Sequence, residues 1–149
     1  IRSMTGTVAR IIETQVAPDR RRVILALGVR RLRVYEWLPD APYPIALVED
    51  WPDNLSDGID SAEVSRLFGM VVEVSSLFEK LGGPPLDLAD IELSTDASFA
   101  SFQLVALAPI GPADRQRLLM CEDPASRLEL LESALSDVEA ACRFRLQGE

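Results

Sequence analysis

Histidine is absent from this chain of 149 residues, which removes the commonest general base, the triads built on it and most zinc sites. Cysteine is scarce. Cys121 and Cys142 are the two thiols, neither at CxxC spacing, so a disulfide framework is excluded. They read as small buried hydrophobes in a reducing cytoplasm, the expected location. Lys80 is the single lysine among 15 basic side chains. No apolar run approaches the roughly 20 residues that cross a bilayer, so no membrane partner is expected, and no secretory signal is present. Positive charge is short as well: 24 acidic side chains leave a formal charge of -9. That balance argues against nucleic acid, whose affinity rests on counterions released by basic surface. There is no Walker loop and no GxGxxG. Gly82-Gly83 precedes two prolines, which lack the backbone donors a phosphate cradle needs. Asp87, Asp90 and Glu92 fail the EF-hand spacing. No cofactor or metal is expected.

What remains is a globular composition, 48% hydrophobic and 26% charged. A chain this long buries roughly two-thirds of its unfolded surface without staples. The first residue is Ile1, so the chain reads either as an internal fragment or as carrying Ile1-Arg2-Ser3 ahead of Met4.

Residues 1–50 carry strand signals. Thr7 to Glu13 is rich in β-branched residues, and Val23, Leu25, Leu27 and Val29 alternate with Ile24, Ala26 and Gly28, predicting a central strand. Pro18-Asp19 marks the turn between these two. After Val29 the phase flips, turning Leu32 and Val34 inward and Arg31, Arg33 and Tyr35 outward. The flip requires a tight turn or bulge near Gly28–Arg31. Trp37 to Pro42 is too proline-rich for a central strand. A last strand is expected over Tyr43 to Glu49.

Residues 51–60, around Trp51 and Leu55, have linker chemistry. Residues 61–149 change period. Asp60 and Glu63 form a capping box ahead of Val64, Leu67, Phe68, Val71, Val74, Phe78 and Leu81, and Gly82 to Pro85 stops that helix. A second helix starts at Thr95 or Asp96 and a third at Pro112. The fourth is capped by Asp123 with Pro124 at its first position, and it buries Leu128, Leu131, Leu135, Val138 and Cys142. The prediction is α+β: an antiparallel β unit followed by a bundle of about four helices. Charge divides likewise, +2 over residues 1–50 and -11 over residues 51–149.

Two features invite a functional reading. The arginines Arg20, Arg21, Arg22, Arg30, Arg31 and Arg33 form a possible anion or RNA-phosphate patch. With no interleaved aromatic platform and a negative net field, they are better read as solubilising an edge and pairing with acidic helices. The aromatics Trp37, Tyr43 and Trp51, with Leu38 and Ile45 nearby, form an apolar recognition patch if they share a surface, and otherwise seal the sheet against the first helix. Lys80 falls in a helix's last turn beside Glu79, where it complements the dipole and is a poor candidate for a serine–lysine dyad. No catalytic site is found.

The order of segments then resembles a known family. Gly6-Thr7-Val8-Ala9-Arg10-Ile11, Leu27-Gly28-Val29-Arg30-Arg31-Leu32-Arg33-Val34 and Pro42-Tyr43-Pro44-Ile45-Ala46-Leu47-Val48-Glu49 are similar to the β part of the N-terminal substrate-binding domain of Lon proteases. Asp114-Arg115-Gln116-Arg117-Leu118-Leu119, Asp123-Pro124 and Arg127-Leu128-Glu129-Leu130-Leu131 resemble its helical stretch. The resemblance implies a PUA-like pseudo-barrel followed by a helical bundle, a non-enzymatic module that captures unfolded or damaged polypeptides. Family members usually begin upstream, with an apolar strand that closes the barrel. Without it the resemblance implies an incomplete barrel with an open sheet edge, filled by a second copy or a separate piece. Polypeptide binding is therefore expected at that edge and at Trp37, Leu38, Tyr43, Ile45 and Trp51, in a groove beside the first helix. The alternatives are an RNA-binding PUA-like module using the Arg20–Arg33 cluster, and a ligand-free oligomerisation domain.

Overall fold

The computed structural model describes residues 2–54, 59–87 and 91–148, which fall into two compact units, Ile1–Pro52 and Asp53–Glu149. Leu55 of the linker and Asp90 of the acidic triplet lie outside the described residues.

The first unit is an antiparallel sheet of β1 (Thr5–Val16), β2 (Arg22–Leu38) and β3 (Ile45–Asp50), in the order β1-β2-β3. The turn at Pro18-Asp19 forms as expected. The Ala17 N–H donates to Arg21 O and the Arg20 N–H to Ala17 O, and Arg20 takes a positive φ of 66°. The phase flip is resolved by a bulge, not a turn: Ala9 pairs with Gly28 and Val8 with Arg30, leaving Val29 without a partner while β2 continues. Further register shifts leave Ile12 in β1 and Tyr35 in β2 as extra residues. β2 runs on through Trp37 and Leu38, which the prolines following them had suggested were loop.

Directly paired residues share a face of an antiparallel sheet. One face of β2, here the front, therefore presents Val23, Leu25, Leu27, Leu32, Val34 and Trp37. The reverse presents Ile24, Ala26, Arg31, Arg33 and Leu38. Each bulge on β2 adds the residue that keeps the apolar set on the front across a break in the period. Because β3 pairs only with Leu32–Leu38, the far ends of β1 and β2 form a two-stranded ribbon.

In the second unit, α1 (Ser61–Lys80), α2 (Ala97–Leu107), α3 (Pro112–Leu119) and α4 (Pro124–Gln147) surround one core. Asp60 caps α1 by accepting from the Ala62 N–H, Asp96 caps α2 from Phe99, and Asp123 caps α4 from Ser126. The α1 terminus is a Schellman motif, in which Gly82 N–H bonds Glu79 O, Gly83 N–H bonds Phe78 O, and Gly82 sits at φ 87°. The core combines Leu67, Val71 and Val74 of α1 with Leu104 of α2, Leu118 of α3 and Leu128, Leu131 and Leu135 of α4. Cys142 is buried as expected. Cys121 is only half-buried, a departure from the sequence reading, because it lies in the loop after α3.

Candidate functional site

The front of the sheet holds an open depression of about 430 Å³ within the first unit. Gly6 contributes no side chain to its floor, where Leu32 and Val34 lie, and Trp37, Pro44, Ala46 and Val48 line it too. Val34 is 6% exposed; Trp37 is half-buried, its indole N–H donating to Ser3 O at 3.3 Å and the Arg2 guanidinium lying 5.0 Å from its ring centroid. Arg2 in turn pairs with Asp40. The charges near the tryptophan are thus tied to each other, leaving the depression largely apolar. Among the described residues, β1 and β3 are the outer strands and neither has a strand partner on its outer edge.

The front continues onto the ribbon. There Val23, Leu25 and Leu27 lie opposite Gln15, Glu13 and Arg10, and all three apolar side chains are at least half exposed. Behind them Ile11 and Ile24 are exposed as well. This much apolar surface on a short ribbon exceeds the scattered exposure normal for a soluble protein.

The five residues proposed from sequence do not form one patch. Trp37 lines the depression, and exposed Tyr43 directly precedes its lining residue Pro44. Leu38 and Ile45 pair with each other on the reverse. Trp51 also lies behind, with the guanidiniums of Arg31 and Arg33 each 4.1 Å from its ring centroid.

Arg31 corrects the sequence reading. It was expected to face solvent but is only 6% exposed, its guanidinium donating to Trp51 O at 3.0 Å and Pro52 O at 3.4 Å while stacking on the indole. Carbonyls and a π-face compensate the burial, an arrangement that alternation alone cannot signal. The other arginines divide. Arg21 pairs with Asp19, Arg30 pairs with Asp50, and Arg33 stays on the reverse beside Tyr35 and Glu49. A hydrogen bond to Glu49 raises the pKa of the Tyr35 phenol, so it remains protonated and uncharged at neutral pH. Arg20 and Arg22 remain exposed at the ribbon tip.

In the second unit, a depression of about 470 Å³ is lined by Phe78, Pro84, Pro85, Leu86 and Pro109, with Arg115 donating to Ala108 O and Ile110 O. Lys80 is exposed in the last turn of α1. Among the described residues, no group of three carboxylates or thiols could hold a metal ion, and no helix is long and apolar enough to cross a membrane.

Comparison with known proteins gives a consistent result. The family model of the ATP-dependent protease La (LON) substrate-binding domain matches residues 3–137. A Lon protease of Desulfovibrio desulfuricans is 33% identical over 139 residues, spanning 91% of this chain and 16% of its own length. Lon protease 1 of Myxococcus xanthus is 29% identical over 152 residues, spanning 97% of this chain and 18% of its own. The chain therefore spans less than a fifth of these relatives. Two solved structures share the fold. The Lon N-terminal domain protein from Xanthomonas campestris has a TM-score of 0.59 at 22% identity, over 89% of this chain and 69% of that one. The N-terminal domain of a Mycobacterium avium complex Lon protease has a TM-score of 0.62 at 18% identity, over 90% and 70%.

Proposed function

The chain belongs to the Lon substrate-binding domain family, and from that premise we propose that it is a non-catalytic module that captures unfolded polypeptide for a Lon-type protease. The reading rests on one observation: an apolar depression around Trp37 lies beside a strand, β1, whose outer edge has no partner among the described residues. An extended chain hydrogen-bonds along such an edge through its backbone, independent of sequence, while alternate side chains enter the depression. That combination suits a receptor for many unfolded substrates. Trp37 is the anchor, and Tyr43 contributes at its side. Leu38, Ile45 and Trp51, on the reverse, have supporting roles. No catalytic residue is assigned.

The test is fluorescence anisotropy with a labelled, reduced and carboxymethylated polypeptide. Trp37→Ala is expected to weaken binding by about tenfold or more, the effect typical of a central aromatic anchor, with an unchanged circular dichroism spectrum. Unaltered affinity in a folded variant overturns the assignment.

A further inference from the structure

The charges on the ribbon are arranged around its apolar surface, and they point to the kind of segment the module selects. Within residues 9–29 there are four arginines and two carboxylates, Glu13 and Asp19, in a protein whose net charge is -9. Asp19 is taken by Arg21, and Glu13 accepts from the Gln15 amide at 2.6 Å. Arg10, Arg20 and Arg22 are exposed, and among the described residues none of the three has an ion pair. Arg10 stands on the front opposite Leu27; Arg20 and Arg22 stand at the tip, Arg22 opposite Val16 and on the reverse with Ile24. Because Ile12 is an extra residue, the interval from Arg10 to Val16 matches five residue steps of β2, Leu27 to Arg22, roughly 17 Å. The exposed side chains of Leu25 and Val23 occupy the front of that interval, and those of Ile11 and Ile24 its reverse.

We propose that the ribbon selects extended polypeptide segments in which about four uncharged, mostly apolar residues are bracketed by carboxylates, one on each face. The inference rests on the polypeptide-capture reading above and adds its charge preference. The apolar side chains of the segment cover the ribbon's own, and the two flanking carboxylates meet Arg10 at one end and the tip arginines at the other. Spacing is part of the claim, because an extended ligand rises by the same amount per residue as β2 does between Leu27 and Arg22. A segment with lysines at those positions meets three unpaired guanidiniums and is disfavoured. Glu13 lies midway, and the same repulsion excludes a carboxylate from the middle of the run.

The experiment uses the full chain and three labelled peptides that share one apolar four-residue centre and carry glutamate, glutamine or lysine at both flanks. Anisotropy is read at low and at high salt. The glutamate-flanked peptide is expected to bind about tenfold tighter than the lysine-flanked one at low salt, the size of two exposed ion pairs. The ratio should fall towards one as salt rises and reverse in the double variant Arg10→Glu, Arg22→Glu. Equal affinity for all three peptides overturns the charge preference and leaves polypeptide capture standing. Binding of none of them, together with none of the carboxymethylated polypeptide, overturns both. Tighter binding of a single-stranded RNA oligonucleotide than of the glutamate-flanked peptide overturns the proposal in favour of a polyanion site.

Discussion

Arg127 and Asp53, 74 residues apart in sequence, meet as a buried bidentate ion pair, with Nη2 2.6 Å from Oδ1 and Nη1 2.8 Å from Oδ2. The arginine side chain is fully buried and the aspartate side chain 5% exposed. The remaining guanidinium donors bond Ser101 Oγ, Leu118 O and Cys121 O, and the Phe102 ring centroid lies 3.7 Å from Cζ. All five N–H groups are thus used. One side chain holds together the first residue of the second unit, α2, the end of α3 and the start of α4.

Breaking this pair should be costly, because removal of one partner strands a buried charge. Asp53→Ala is expected to lower the unfolding free energy by about 3–5 kcal/mol, read by urea denaturation. Replacing both partners with apolar residues of similar volume should cost less than the single change, since no lone charge remains. A double variant as unstable as Asp53→Ala would contradict this account.

The surface pair Arg66–Glu132 carries a pH signature. Arg66 Nη1 and Nη2 donate to the two carboxylate oxygens at 2.7 and 2.8 Å and hold the Glu132 pKa below its ordinary value. The folded state thus binds fewer protons than the unfolded one in the acid range. The stabilisation is complete above the unfolded-state value and is lost as pH falls through the lower folded-state value. Both side chains are well exposed, so the effect is small. Glu132→Gln should melt slightly below the parent at pH 7, with the gap closing towards pH 3. A gap that widens on acidification would contradict the sign.

Gly82 closes α1 at φ 87°, in open space where a Cβ would touch nothing. Gly82→Ala therefore tests backbone conformation alone, with an expected loss of about 1 kcal/mol in denaturant unfolding. A neutral result would mean that the terminus relaxes out of the left-handed conformation.

Trp37 and Trp51 should separate function from stability. Trp51→Ala removes the surface on which Arg31 and Arg33 stack and should destabilise the sheet by about 1–2 kcal/mol, while polypeptide affinity falls far less than in Trp37→Ala. Equal losses of affinity would place both faces in the binding surface.

Much of this protein is written in local chemistry. The aspartate caps, the Pro18-Asp19 turn, the glycine–proline stop after α1 and the apolar stripe of α4 follow from periodicity and from short-range hydrogen bonding. The phase flip after Val29 demanded an extra residue, and the sheet contains one there. The decision between turn and bulge was tertiary, because pairing with β1 on both sides of Val29 keeps β2 continuous through it. Trp37 and Leu38 became strand because β3 returns to pair with them, a long-range gain that outweighs the prolines beyond. Arg127 shows the sharpest divide. The apolar stripe read from periodicity, Leu128, Leu131 and Leu135, did not include it, and an arginine is buried only when partners satisfy it; those partners come from residue 53, α2, the end of α3 and the turn after it. Sequence determines which faces are apolar and where elements begin and end, since these depend on neighbours a few residues away. Which charges can be buried, and which aromatics share a face, depends on register and packing between distant segments, and only the folded chain decides it.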